Sequence, residues 1–183
     1  VVSNGTAALH LTALALGLEA GDQVIVPAVT FVATANAARY VGADVIFADV
    51  DPDTGLMRPA ALQAAIAKSD SSRLKAVFNV HLGGQCEDIE AIRALTDKHG
   101  LKLVDDACHA IGTSRSGNKI GSCRHTDLTV FSFHPVKTIA MGEGGMITTQ
   151  DPDLAKRLKM LRSHGITHLP DDFLNQDLAS DGD

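Results

Sequence analysis

Tryptophan is absent from this sequence and tyrosine occurs once, so six phenylalanines are nearly all of its aromatic content. A core built from it has to be aliphatic. Cysteine is scarce as well: Cys86, Cys108 and Cys123 are odd in number and widely spaced, with no paired metal-ligand spacing. They read as reduced thiols of a cytoplasmic protein, not as a disulfide framework. No apolar run reaches the length of about 20 residues that a membrane span needs, and no secretory leader opens the chain. Grouped positive charge is also missing. With 16 Lys and Arg against 22 Asp and Glu, the formal net charge is −6 and the basic residues are scattered. Nucleic acid is therefore not an expected partner, because that binding rests on clustered Lys and Arg that neutralise phosphates.

What is present is alternation. Apolar residues fall at helical spacing over 5–18, 30–40, 59–67, 88–99 and 153–164. Short apolar or β-branched runs, at 23–26, 44–50, 75–81, 101–105, 128–133 and 146–149, read as strands. Gly21-Asp22, Gly42, Asp51-Pro52-Asp53, Gly83-Gly84 and Gly100 punctuate them. Uninterrupted apolar strands alternating with helices predict a single α/β domain: a mainly parallel sheet with helices on both faces. Ligands of such sheets bind beyond the carboxyl ends of the strands. Asp105, Asp106, His109, Ser132, His134 and Lys137 all follow a predicted strand end.

Three segments carry chemistry. Ser132-Phe133-His134-Pro135-Val136-Lys137 precedes a glycine-rich turn, Gly142-Glu143-Gly144-Gly145. A lysine held in a low-dielectric cleft loses its proton more easily and can form an imine with an aldehyde; the plain alternative is a surface lysine on a tight loop. In Ser3-Asn4-Gly5-Thr6-Ala7-Ala8, small residues open a helix whose free N–H groups and dipole favour an anion. An ordinary N-cap explains the same letters. Val104-Asp105-Asp106-Ala107-Cys108-His109 places two acids at a strand end, where they point to opposite sides and at most one can face a given ligand. A carboxylate against a pyridine nitrogen keeps that ring protonated and electron-accepting; the alternative is a pair of exposed acids.

Together and in this order, Ser-Asn-Gly-Thr-Ala-Ala-Leu (3–9), Thr-Phe-Val-Ala-Thr-Ala-Asn-Ala (30–37), Val-Asp-Asp-Ala-Cys-His-Ala (104–110) and Ser-Phe-His-Pro-Val-Lys (132–137) resemble the DegT/DnrJ/EryC1/StrS family of sugar aminotransferases. The resemblance runs from Val1 to about Leu169. It implies the pyridoxal 5'-phosphate-dependent transferase fold type I, with Lys137 as the imine lysine and Asp106 as partner of the pyridine nitrogen. It further implies Phe31 as the ring stacked on the cofactor, although position alone would make it a core helix residue. His109 falls beside the phenolic oxygen, and Thr6, Ala7 and Ser132 fall at the phosphate. His81 and His134 lie near the site without an assigned role. Ser132 to Lys137 with Arg-Ser-His-Gly-Ile (162–166) looks most like enzymes that aminate C4 of a UDP-linked 4-keto-6-deoxy-N-acetyl-hexosamine towards pseudaminic acid.

The family pattern has a segment before Val1 and a smaller domain after Asp183. Residues 1–183 are thus expected to be the central part of the large, cofactor-binding domain, inactive alone, from a homodimeric parent. The expected ligands are a nucleotide-sugar and an amino-acid donor, glutamate by resemblance. Two rivals stand beside this reading. A sugar dehydratase of the same family would carry His in place of Lys137, and a non-catalytic module would only bind anions at Gly5. No metal site is expected.

Overall fold

The structure, a computed structural model, describes residues 1–166. Its elements are α1 (Gly5–Ala15), β1 (Gln23–Pro27), α2 (Val32–Tyr40), β2 (Asp44–Ala48), α3 (Pro59–Lys68), β3 (Leu74–Val80), a 3-10 turn (Leu82–Gly84), α4 (Ile89–Lys98), β4 (Lys102–Asp106), β5 (Ser114–Arg115), β6 (Asn118–Lys119), β7 (Leu128–Ser132), β8 (Gly145–Thr148) and α5 (Pro152–Arg162). The main sheet has six strands in the order β2-β1-β3-β4-β7-β8. Every neighbouring pair is parallel except β7 with β8. The mainly parallel sheet read from the sequence is the one that forms.

Alternation along the strands divides the core. Ala76, Phe78, Val104, Leu128 and Val130 pack under α1 and α2, with Ala8, Leu9, Ala13, Ala33 and Ala37 facing them. Val77 and Leu103 pack on the other face with Leu62, Ala65, Ile89 and Ile92 of α3 and α4. Alanine-rich α1 and α2 have little side-chain volume to bury, and this lets both helices lie close to the sheet.

Two glycines fix where α1 begins. Val2 and Gly145 exchange backbone hydrogen bonds at 2.9 Å, stapling the chain before α1 to β8. A Cβ on Gly145 would collide with the Asn4 carbonyl, and one on Gly5 would come within 2.9 Å of Ser132 Cβ. Only glycine at both positions lets the helix start touch the end of β7. Asn4 then caps α1, its Oδ1 accepting the Ala7 N–H at 2.8 Å.

Three differences from the sequence reading have local causes. The second helix begins at Val32, because Phe31 is extended at φ −68° and ψ 139°. The first ends at Ala15, since Gly17 turns the chain with φ +73°. An antiparallel hairpin, β5–β6, forms where no element was expected. Its turn residues Ser116 and Gly117 both have positive φ, the geometry of a two-residue hairpin loop.

Candidate active site

A cavity of about 310 Å³ opens at the carboxyl ends of β3, β4 and β7. The N-terminus of α1, the start of α2 and the loop after β7 complete its walls. Thr6, Phe31, Asp106, His109, Ser132 and Lys137 line it together, with Thr30, Cys108, His134 and Glu143. The structure therefore gathers six of the seven residues singled out above, drawn from positions as far apart as 6 and 137.

Ala7 is the exception: it is not among the residues lining the cavity, and its N–H donates to Asn4 Oδ1. The helix leaves the N–H groups of Gly5 and Thr6 without an intrahelical acceptor. With the Thr6 and Ser132 hydroxyls, they form an anion cradle at one end of the cavity. Phe31 precedes α2 and is 67% exposed at the cavity wall, so the plain alternative of a core helix residue does not hold for it.

The acid pair is buried, not exposed: Asp105 keeps 3% and Asp106 5% of its accessible surface. Register puts Asp105 opposite Asn79 and Asp106 opposite Val80, so the two carboxylates leave the sheet on opposite faces. Asp106 borders the cavity. Its Oδ2 accepts the Thr34 hydroxyl at 2.6 Å and its Oδ1 the Cys108 N–H at 3.2 Å. Among the described residues no cation pairs with it. Asp105 instead accepts Asn79 Nδ2 at 3.0 Å and lies 2.9 Å from Nε2 of the fully buried His81. The His81 N–H is not well aligned with that oxygen, so the contact counts chiefly as an ion pair. Burial opposes a charge on His81, but the Asp105 carboxylate outweighs it and the imidazole is pushed up to about 10.

His109 Nδ1 accepts the Gly83 N–H at 3.2 Å, which leaves Nε2 to carry the proton of the neutral ring as a donor. Burial first, and the Asp106 carboxylate second, push the Cys108 thiol far up, so the cavity wall holds a neutral thiol there. Lys137 is half-buried, on a loop closed by Phe133 N–H to Gly144 O at 2.8 Å and Met141 N–H to Phe133 O at 2.9 Å. Thr30, Thr34 and Cys108 received no role from the sequence. The i,i+4 spacing of the two threonines at a helix start was the available signal. His164 and His168 share that spacing too, but His168 lies outside the described residues. Among the described residues no group of three His, Cys, Asp or Glu could hold a metal ion.

The mainly parallel sheet, with helices on both faces and its cavity at the strand ends, has the fold of the type I pyridoxal-phosphate-dependent transferases. Solved structures place the chain there. DesV of S. venezuelae, in complex with a ketimine intermediate, is 37% identical with a TM-score of 0.83, over 90% of this chain and 43% of its own. DesI, in the presence of its TDP-sugar product, is 42% identical with a TM-score of 0.78, over 87% of this chain and 39% of its own. NtdA of Bacillus subtilis, with bound cofactor PMP, is 34% identical with a TM-score of 0.77, over 86% of this chain and 34% of its own. The model of the DegT/DnrJ/EryC1/StrS aminotransferase family matches residues 1–180, and the chain belongs to that family. It spans less than half the length of each of these structures.

Members of the family depend on pyridoxal phosphate. The cavity fits that group by the chemistry of its donors. A buried carboxylate is stable when a cation or several donors meet it, and among the described residues Asp106 has two neutral donors and no cation. A protonated ring nitrogen would supply what is missing. The N-terminus of α1 suits a phosphate, and Lys137 lines the same cavity.

Proposed function

We propose that this chain forms the cofactor-binding core of an aminotransferase that acts on a nucleotide-linked keto-sugar. The observation that carries it is the buried Asp106 carboxylate, without a cationic partner, facing a cavity that also holds an anion cradle and Lys137. Sugar chemistry is supported by DesI at 42% identity, whose structure was analysed in the presence of its TDP-sugar product. The finer reading is amination of C4 of a UDP-linked 4-keto-6-deoxy-N-acetyl-hexosamine with glutamate as donor. It rests on the likeness of residues 132–137 and 162–166.

When bound, pyridoxal phosphate supplies an aldehyde carbon and an electron-accepting ring. Gly5, Thr6 and Ser132 would hold its phosphate, and Phe31 would cover one ring face. Asp106 would keep the ring nitrogen charged, and the Nε2–H of His109 would donate to the phenolic oxygen. Lys137 would hold the cofactor covalently through Nζ. Released as a free amine, Nζ would carry the proton between the reacting carbons, as general base and then general acid. A sugar dehydratase is disfavoured because Lys137 stands where those enzymes carry His.

Val136, which lines the cavity with Phe31, is 78% exposed, and Ile139 and Met141 further along the same loop are 47% and 65% exposed. Apolar surface of this kind supports a homodimer in which a second subunit closes the site. Residues 1–183 alone should then bind pyridoxal phosphate weakly and show no turnover. Titration of this piece beside the full-length protein tests that point. Lys137→Ala tests the assignment itself: in the full-length protein it should abolish the borohydride-sensitive visible band and lower turnover by several orders of magnitude. Near-normal turnover would remove Lys137 from the mechanism.

A further inference from the structure

We infer that Thr34, backed by Thr30, is a positioning residue that fixes the Asp106 carboxylate towards the cofactor ring. The inference rests on Asp106 serving as the ring-nitrogen partner, and it adds what aims that carboxylate. Thr34 is fully buried on α2 and donates its hydroxyl to Asp106 Oδ2 at 2.6 Å, a short charge-assisted contact. A threonine hydroxyl has one proton. Thr34 spends that proton on the carboxylate, so in its 2.9 Å contact with Thr30 it must be the acceptor. The chain therefore has one direction: Thr30 O–H to Thr34, and Thr34 O–H to Asp106. Each donation polarises the next and strengthens it in the buried setting.

Placement supports the same conclusion. Thr34 is the third residue of α2, so the carboxylate lies beside the helix's first turn, where the dipole favours negative charge. The Cys108 N–H holds the other oxygen. Both oxygens are tethered by neutral donors that bring no competing cation. The two contacts hold the carboxylate towards the cavity. The same turn of α2 sets the Phe31 ring at the mouth, so one helix start positions both a face and an edge of the ring site.

The test uses full-length protein loaded with pyridoxal phosphate labelled with 15N in its ring, and three variants: Thr34→Val, Thr34→Ser and Thr30→Val. The ring-nitrogen chemical shift reports protonation independently of turnover. Thr34→Val should move it towards that of a neutral pyridine and lower kcat about 10- to 100-fold, the effect of losing one hydrogen bond to a charge. KM for the amino donor should stay within about threefold, since this bond orients the cofactor and not the donor. Thr34→Ser should restore the shift. Thr30→Val, at a half-buried site that leaves the fold intact, should displace the shift in the same direction by less. Wild-type shifts in Thr34→Val and Thr30→Val would overturn the inference, and Thr30→Val decides alone if Thr34→Val does not fold. Asp106→Asn is the control. If it too leaves the shift unchanged, the assignment of Asp106 itself fails; if only Asp106→Asn changes it, Thr34 has no positioning role.

Discussion

Asp105 and Asp106 are sequence neighbours, equally buried and both at the end of β4, yet their surroundings differ. Asp106 faces the α1–α2 side, held by a hydroxyl and a backbone N–H, with a cavity in front of it. Asp105 faces the α3–α4 side and meets the His81 imidazole and the Asn79 amide. Among the described residues, one carboxylate has its charge answered by a cation and the other does not. A charge that the fold leaves uncompensated beside a cavity implies a ligand; a compensated one implies structure.

Asparagine at each position separates the two. Asp106→Asn should lower turnover about 10²–10³-fold, the scale of removing one preorganised electrostatic group, while the melting temperature stays near wild type. Asp105→Asn should leave turnover nearly intact but cost about 3–5 kcal/mol of stability by stranding His81, at the lower end if the imidazole sheds its proton. Parallel denaturation and rate measurements on both variants check this. The reverse ranking in activity would mean that Asp105 serves the ligand.

The Asp105 side should also depend on pH. His81 is raised from 6.5 to about 10, so the stabilisation from its charge is complete below pH 6.5 and is lost as pH rises through about 10. The stability gap between wild type and Asp105→Asn should therefore narrow from about pH 6 to about pH 10 by chemical denaturation. A gap that stays constant would deny His81 its charge.

The smallest effect belongs to Phe31. Its ring is 67% exposed, so Phe31→Ala should change stability by no more than about 0.5 kcal/mol. Loss of stacking worth about 0.5–1.5 kcal/mol should weaken pyridoxal phosphate binding, read by fluorescence titration. Unfolding of the variant, or unchanged affinity, would contradict its place at the ring face.

Legibility followed the range of the forces involved. Local signals located the helices and strands to within a few residues: the helix expected over 88–99 and stopped by Gly100 is α4 at Ile89–Lys98. Strand alternation required that only one of the two acids could face a given ligand. The β5–β6 hairpin was missed, because the segment around Ser116-Gly117 lacks the apolar alternation that marks a strand pair. Long-range partners were not legible. His81 lies 24 residues before Asp105, and Thr34 lies 72 residues before Asp106; only folding brings them together. For Ala7, a capping bond from Asn4 claimed an N–H that a helix start alone would leave free.

Borohydride reduction of the full-length protein with pyridoxal phosphate, followed by mass mapping of the peptides, tests the central claim most directly. The account predicts one pyridoxyl-phosphate group per chain, on Lys137, lost when phosphate-site contacts are removed by Ser132→Ala and Thr6→Ala together. Label spread over surface lysines, or concentrated on any lysine other than Lys137, would contradict it.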